Sequence, residues 1–242
     1  EATVEALDAR PLAGDLAAIR AANTRDAIAA LMGASNGGFG GSFFAAYVSS
    51  DAKNPNVNVA NVTQAGLGLP NRDYYLDAKF AEKKAAYQAY VAKLLTFAGW
   101  ANADKAAADI VALETTIAQA QWPIADQRDP DKTYNPKTIA ELQALAPGFP
   151  WQAWLKGASL DKATKVIVGE PTAFTRIAAI FAATPVATLP AWDAFHTVDQ
   201  ASPYLSKRFA DANFEFRAKT LSGQPEQRAR WKRGVSLVSG NL

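Results

Sequence analysis

Residues 79–100, KFAEKKAAYQAYVAKLLTFAGW, and residues 101–122, ANADKAAADIVALETTIAQAQW, decide the architecture. In the first stretch Phe80, Ala85, Tyr87, Val91, Leu94, Leu95 and Phe97 form an apolar stripe at helical spacing, and Gly99 marks the stop. In the second, Asn102 stands at an N-cap position and Ile110, Leu113, Ile117 and Ala120 share one face as far as Trp122-Pro123. Two long helices joined by a short turn predict an antiparallel helix pair.

Working toward the N-terminus, Leu12, Leu16 and Ile19 mark a short helix. Thr24 caps another, which carries Ile28, Leu31 and Met32 and is expected to stop at Gly33. After the Gly-rich 34–41 stretch, Phe43–Val48 and Val57–Val62 are β-prone runs separated by a polar stretch, a hairpin. Working toward the C-terminus, Asn135-Pro136 predicts a cap and first helical turn before Ile139, and Val166-Ile-Val is a short strand. Helices are expected from Pro171, over Pro190–Ala201, over Ser206–Arg217 and over Gln224–Val238. The fold class is mainly α, a multi-helix lobe with one long antiparallel pair and one small β-hairpin.

With 242 residues, 49% of them hydrophobic, the chain is long enough to bury a full core without staples. It has no Cys and one His, which excludes thiolate chemistry, disulfides and any two-His metal motif. A net charge of +2 offers no electrostatic footprint for nucleic acid, and the cluster Arg228, Arg230, Lys232, Arg233 reads as a solvated or ion-paired helix face. No run of about 18 apolar residues predicts a membrane span, and the opening Glu1-Ala-Thr-Val-Glu5 has no signal-peptide pattern.

Local catalytic motifs are weak. Gly33-Ala-Ser-Asn-Gly37 fits the G-x-S-x-G nucleophile elbow, with His196 downstream, but a helix enters it where the elbow needs a strand. Ser50-Asp-Ala-Lys53 and Ser159-Leu-Asp-Lys162 match S-x-x-K without a K-T-G partner. Asp129 and Asp131 flank Pro130 among basic neighbours and read as an ion-paired turn leading into the helix expected at Asn135, and the sequon Asn61-Val-Thr63 falls inside a predicted strand. His196, among Trp192 and Phe195, reads as a structural or surface histidine rather than a catalytic one.

Three longer segments carry more. Gln64-Ala-Gly-Leu-Gly-Leu-Pro-Asn-Arg-Asp-Tyr-Tyr-Leu76, with Gln64, Gly66, Gly68, Pro70, Arg72, Asp73 and Tyr74, resembles a Q-x-G-L-G-L-P-x-R-D-Y-Y segment of the neprilysin and endothelin-converting-enzyme family of zinc metallopeptidases. Arg128-Asp-Pro-Asp-Lys-Thr-Tyr-Asn135, with Arg128, Asp129, Tyr134 and Asn135, resembles its R-D-P-x-K-x-Y-N segment. Asn213-Phe-Glu-Phe, Leu221-Ser-Gly and Arg230-Trp231-Lys-Arg follow in the family's order. The resemblance spans the whole chain and implies the non-catalytic, N-terminal helical lobe of a zinc endopeptidase: residues 1–205 as the lobe proper, 206–242 as the connection toward a catalytic domain. In the family, zinc sits on an H-E-x-x-H helix, which this chain lacks, so no catalytic, metal or cofactor residue is placed here and the thirteen motif residues named above are expected to be structural. The resemblance further implies a missing catalytic half as partner, peptide substrates for the parent enzyme, a cavity that restricts them to peptides, and a bacterial, exported protein. The competing reading is a stand-alone helical binding or scaffold module.

Overall fold

Residues 1–240 are described by a computed structural model of the chain. The order is α1 (Ala2–Leu7), α2 (Ala13–Ala21), α3 (Arg25–Ala34), β1 (Phe44–Asp51), β2 (Asn54–Gln64), α4 (Asp73–Leu76), α5 (Ala81–Phe97), α6 (Ala103–Ala120), α7 (Ile124–Gln127), α8 (Pro130–Thr133), β3 (Asn135–Thr138), α9 (Ile139–Leu145), α10 (Trp151–Gly157), β4 (Lys165–Val168), α11 (Pro171–Ala183), α12 (Thr188–Ala201), α13 (Lys207–Asn213), a π-helical continuation (Phe214–Thr220) and α14 (Arg230–Gly240). This is a mainly α fold, and no single described helix is long and apolar enough to cross a membrane.

The α5–α6 pair is the scaffold. Leu94, Leu95, Ile110 and Ile117 are fully buried. The chain reverses through a Schellman turn: Gly99, at φ +66°, donates to Thr96 O, and Trp100 N–H reaches Leu95 O at 2.9 Å. Asn102 does not act as the expected cap; it sits at φ 53° without a side-chain cap bond, because the turn needs a left-handed residue there. Against the pair pack α12 and an aromatic cluster in which Phe44 lies 4.6 Å, centroid to centroid, from both Trp151 and Phe174.

Two other capping expectations also change. Thr24 caps α3 by accepting from Ala27 N–H. Gly33, however, does not end that helix: its missing Cβ would fall 2.1 Å from Trp154 O, so it lets α3 cross α10 at close range. Asn135-Pro136 opens no helix and instead begins β3; α9 starts at Ile139 under a Thr138–Glu141 capping box. The predicted 224–238 helix begins only at Arg230.

The hairpin is part of a larger sheet. β1 and β2 pair antiparallel through a turn tighter than the expected polar loop, closing at Asp51 and Asn54. β4 adds parallel to β2, with Ala60 opposite Val166, and β3 adds antiparallel to β4, giving the order β1-β2-β4-β3. β3 escaped the sequence reading because a four-residue edge strand containing Pro carries no alternation signal.

Candidate functional site

At the centre of the lobe lies one fully buried carboxylate. Glu114 sits on the apolar face of α6 and takes four donors: Tyr75 OH at 2.6 Å and Tyr87 OH at 2.8 Å on Oε2, Trp192 Nε1 at 3.0 Å and His196 Nε2 at 2.8 Å on Oε1. A buried carboxylate is tolerable only when its lone pairs are matched, and these are. Burial and the neighbouring Glu114 charge push both tyrosine hydroxyls well above their ordinary range, so they stay protonated donors. Glu114 and its shell escaped sequence reasoning; the available signal was an acidic residue between Leu113 and Ile117 on a face otherwise destined for the core.

The first family segment wraps this centre. Gln64, ending β2, clasps the Trp122 backbone from both sides, its Nε2 donating to Trp122 O at 3.1 Å and its Oε1 accepting from Trp122 N–H at 2.8 Å. Its own N–H, with Thr63 OH, donates to buried Glu170, whose carboxyl is raised by burial. Gly66 holds φ +96° with its missing Cβ against Ile117 and Phe43. Gly68 and Leu69 donate their N–H groups to Tyr75 OH, and a Cβ on Gly68 would fall 1.8 Å from Tyr87 Oη. Leu69 is buried, whereas Leu67 is only half-buried. Pro70 and Asp73 are exposed; Arg72 Nε reaches Ala118 O at 3.2 Å, and Tyr74 stacks on Phe80 at 4.1 Å.

The second segment lies at the far edge of the sheet. Asp129 caps α8 by accepting from Asp131 and Lys132 N–H, while Lys132 pairs with Asp126 at 2.6 Å. Tyr134 OH donates to Asp51 at 2.7 Å, and that bond, with Lys53 N–H and the Lys165 ammonium, holds the Asp51 carboxyl down at about 2. Asn135 donates to Lys132 O and Val168 O, and Arg128 is exposed.

The third segment is coupled to the first. Asp199 accepts from Tyr90 OH at 2.6 Å and from Arg217 Nε at 3.1 Å, and Arg217 also donates to Gly68 O. Burial opposes the guanidinium charge, but Asp199 overrides it and raises Arg217 above its ordinary value. Arg230 spans Glu5 at 2.8 Å and Leu205 O at 2.6 Å. Trp231 is 69% exposed and lines up with exposed Val235 and Val238 as one apolar stripe of α14.

The elbow reading fails on geometry. Ser35 follows a helix and donates to Met32 O at 2.7 Å, while His196 Nε2 is engaged by Glu114. Asp129 and Asp131 serve α8, and the sequon residues Asn61 and Thr63 lie in β2, hydrogen-bonded to Ser49 and Glu170. Glu114 with its ring of donors thus ties α4, α5, α6 and α12 together at the centre of the lobe.

Residues 1–242 match Peptidase family M13, over the family's N-terminal part. Over 83% of its length the chain is 32% identical to endothelin-converting enzyme 1 of Rattus norvegicus and to that of Homo sapiens, covering 27% of each. The Mycobacterium tuberculosis zinc metalloprotease Zmp1 in complex with inhibitor superposes with a TM-score of 0.93 at 34% identity, over 99% of this chain and 37% of that one. Its open state gives 0.94 at 33% identity over 100% and 38%. PepO of Lactobacillus rhamnosis, at 18% identity and a TM-score of 0.77, shares the fold. The chain thus spans roughly a quarter to two-fifths of these relatives, and it belongs to the M13 family of neprilysin-like metallopeptidases as its N-terminal part.

Proposed function

We propose that this chain is the non-catalytic helical lobe of a zinc metalloendopeptidase, enclosing a cavity in which the parent enzyme cleaves peptides. The supporting observation is the end-to-end superposition on a zinc metalloprotease of which the chain accounts for only 37%. The donors present do not fit zinc: the single imidazole is spent on Glu114 and no thiolate exists, so no step of metal-assisted hydrolysis runs through these residues. Zinc and the reacting groups belong to the complementary half, which is the partner we assign to this lobe. The lobe's contribution is steric and positional: a rigid wall that excludes folded proteins and confines a peptide near the reaction centre. Residues 1–205 form the lobe proper and 206–242 lead toward the catalytic domain. Of the thirteen motif residues, Gln64, Gly66, Gly68, Arg72, Tyr74, Asp129, Tyr134, Asn135 and Arg230 act as struts through the contacts described above, whereas Pro70, Asp73, Arg128 and Trp231 are exposed; export from a bacterial cell fits the enzyme class.

The test measures zinc by elemental analysis and turnover of a fluorogenic peptide, with and without chelator, for the 242-residue chain and for the chain joined to the histidine-bearing remainder. Chelator-sensitive turnover is expected only from the joined protein. Such turnover by the purified chain alone overturns the proposal, and unchanged turnover by the remainder without this lobe favours a stand-alone binding module.

A further inference from the structure

The free edge of the sheet lacks the usual protection over most of its length. β1 is an outer strand, so among the described residues one side of its backbone has no strand partner. The alternation of an antiparallel ladder identifies which groups these are. Ala65 N–H donates to Phe43 O at 3.0 Å, which turns residues 43, 45, 47 and 49 toward β2. Ala46 N–H donates the other way, to Asn36 Oδ1 at 3.2 Å, and the carbonyl of Val62, its partner in β2, faces β4 through Gly169 N–H. Ala46, Val48 and Ser50 therefore direct their backbone groups outward. Only the first of these N–H groups is covered, by Asn36.

Exposed edges are ordinarily blunted by lysine, proline or an inward-pointing charge. From Ser42 to Ser50 there is neither a charged residue nor a proline; the strand's one inward charge, Asp51, and a break in its register between Ser50 and Asp51 lie at its far end. Tyr47 and Val48 are 56% and 60% exposed, so apolar side chains flank the open backbone on both faces.

We propose that the β1 edge from Ala46 to Ser50 is a strand-addition site for an extended, uncharged peptide segment. It deepens the reading of the parent as a peptidase and rests on it. Two features favour a short peptide as occupant. The edge offers backbone pairing with no charge to match, the chemistry of an extended neutral chain. It is also too short for a second copy: a two-fold ladder over these five residues, about 17 Å long with Asn36 at one end, buries far less than the roughly 1,200 Å² of a stable interface.

The test uses the isotopically labelled 242-residue chain and, as probe, the blocked hexapeptide acetyl-Thr-Val-Thr-Val-Thr-Tyr-amide. The expected result is at least ten-fold slower amide exchange at Val48 and Ser50 on saturation, with binding abolished when every peptide amide is N-methylated. Val48→Pro deletes an outward N–H without touching the β1–β2 ladder, and should weaken binding at least ten-fold while the chain still melts cooperatively. Val48→Lys, which keeps the backbone, should do the same by placing a charge at the edge if the proline variant does not fold. Binding indifferent to N-methylation and to Val48→Lys, unchanged exchange at Val48 and Ser50, or dimerisation of the chain through this strand overturns the proposal. Peptide binding here without turnover by the joined protein would refute the peptidase reading and not the edge site; turnover with no binding here would do the reverse.

Discussion

Gly68 and Asp193 show how much a single position carries. A methyl group at Gly68 would meet Tyr87 Oη at 1.8 Å, and Tyr87 cannot swing away without leaving Glu114. Gly68→Ala should therefore cost about 3 kcal/mol, read as a drop of several degrees in the thermal melt, whereas Ala at Gly37, where nothing lies within 4 Å, should be near neutral. Asp193 is buried on α12, accepts Gly41 N–H at 3.0 Å, and is raised by burial from 3.8 to about 6 despite that bond and nearby His196. A carboxyl that binds its proton more tightly when folded contributes stability that is full below about 4 and lost as pH rises through about 6. Asp193→Asn keeps the acceptor, so its stability relative to wild type should rise by up to roughly 3 kcal/mol between pH 4 and 7, measured as paired denaturant titrations. A difference that stays flat with pH would show that Asp193 is not held protonated by burial. The family segment singled out Gly68 in the sequence, but that Tyr87 of α5 is what reaches it was not legible, and Asp193 looks like any polar residue on a helix.

Between elements, the α5–α6 pair should respond as a close-packed core does. Leu94→Ala and Ile117→Ala, both at fully buried positions, should each cost about 2 to 5 kcal/mol, with the lower figure where neighbours collapse into the gap. The pair was readable because helical periodicity is a local property that burial then obeys. Thr24 as a cap and Val166-Ile-Val as a strand were readable for the same reason. What stayed hidden is what two distant segments decide jointly. Gly33 looks like a stop signal until α10 arrives against it, and Asn135-Pro136 looks like a helix start until β4 offers it a strand partner. The centre at Glu114 belongs to this class too, drawing on α4, α5, α6 and α12 at once.

At the scale of the whole molecule, α14 stands apart from the core. Its Trp231, Val235 and Val238 stripe is uncovered, so Trp231→Ser should leave the melt of this chain within about 0.5 kcal/mol yet weaken the association we propose with a catalytic half, measured by titrating one against the other. If the substitution destabilised the chain itself, the stripe would be packing internally. The single parallel link in the sheet sets a timetable for synthesis. Ala60 meets Val166 only after about 100 further residues have left the ribosome, and closing so long a loop is slow compared with the local pairing of β1 with β2 or of α5 with α6. Through that interval the nascent hairpin carries two open edges, one of which β4 eventually seals. A chaperone that recognises extended apolar strands therefore has a window on this chain that opens with the emergence of Gln64 and shuts with that of Val168.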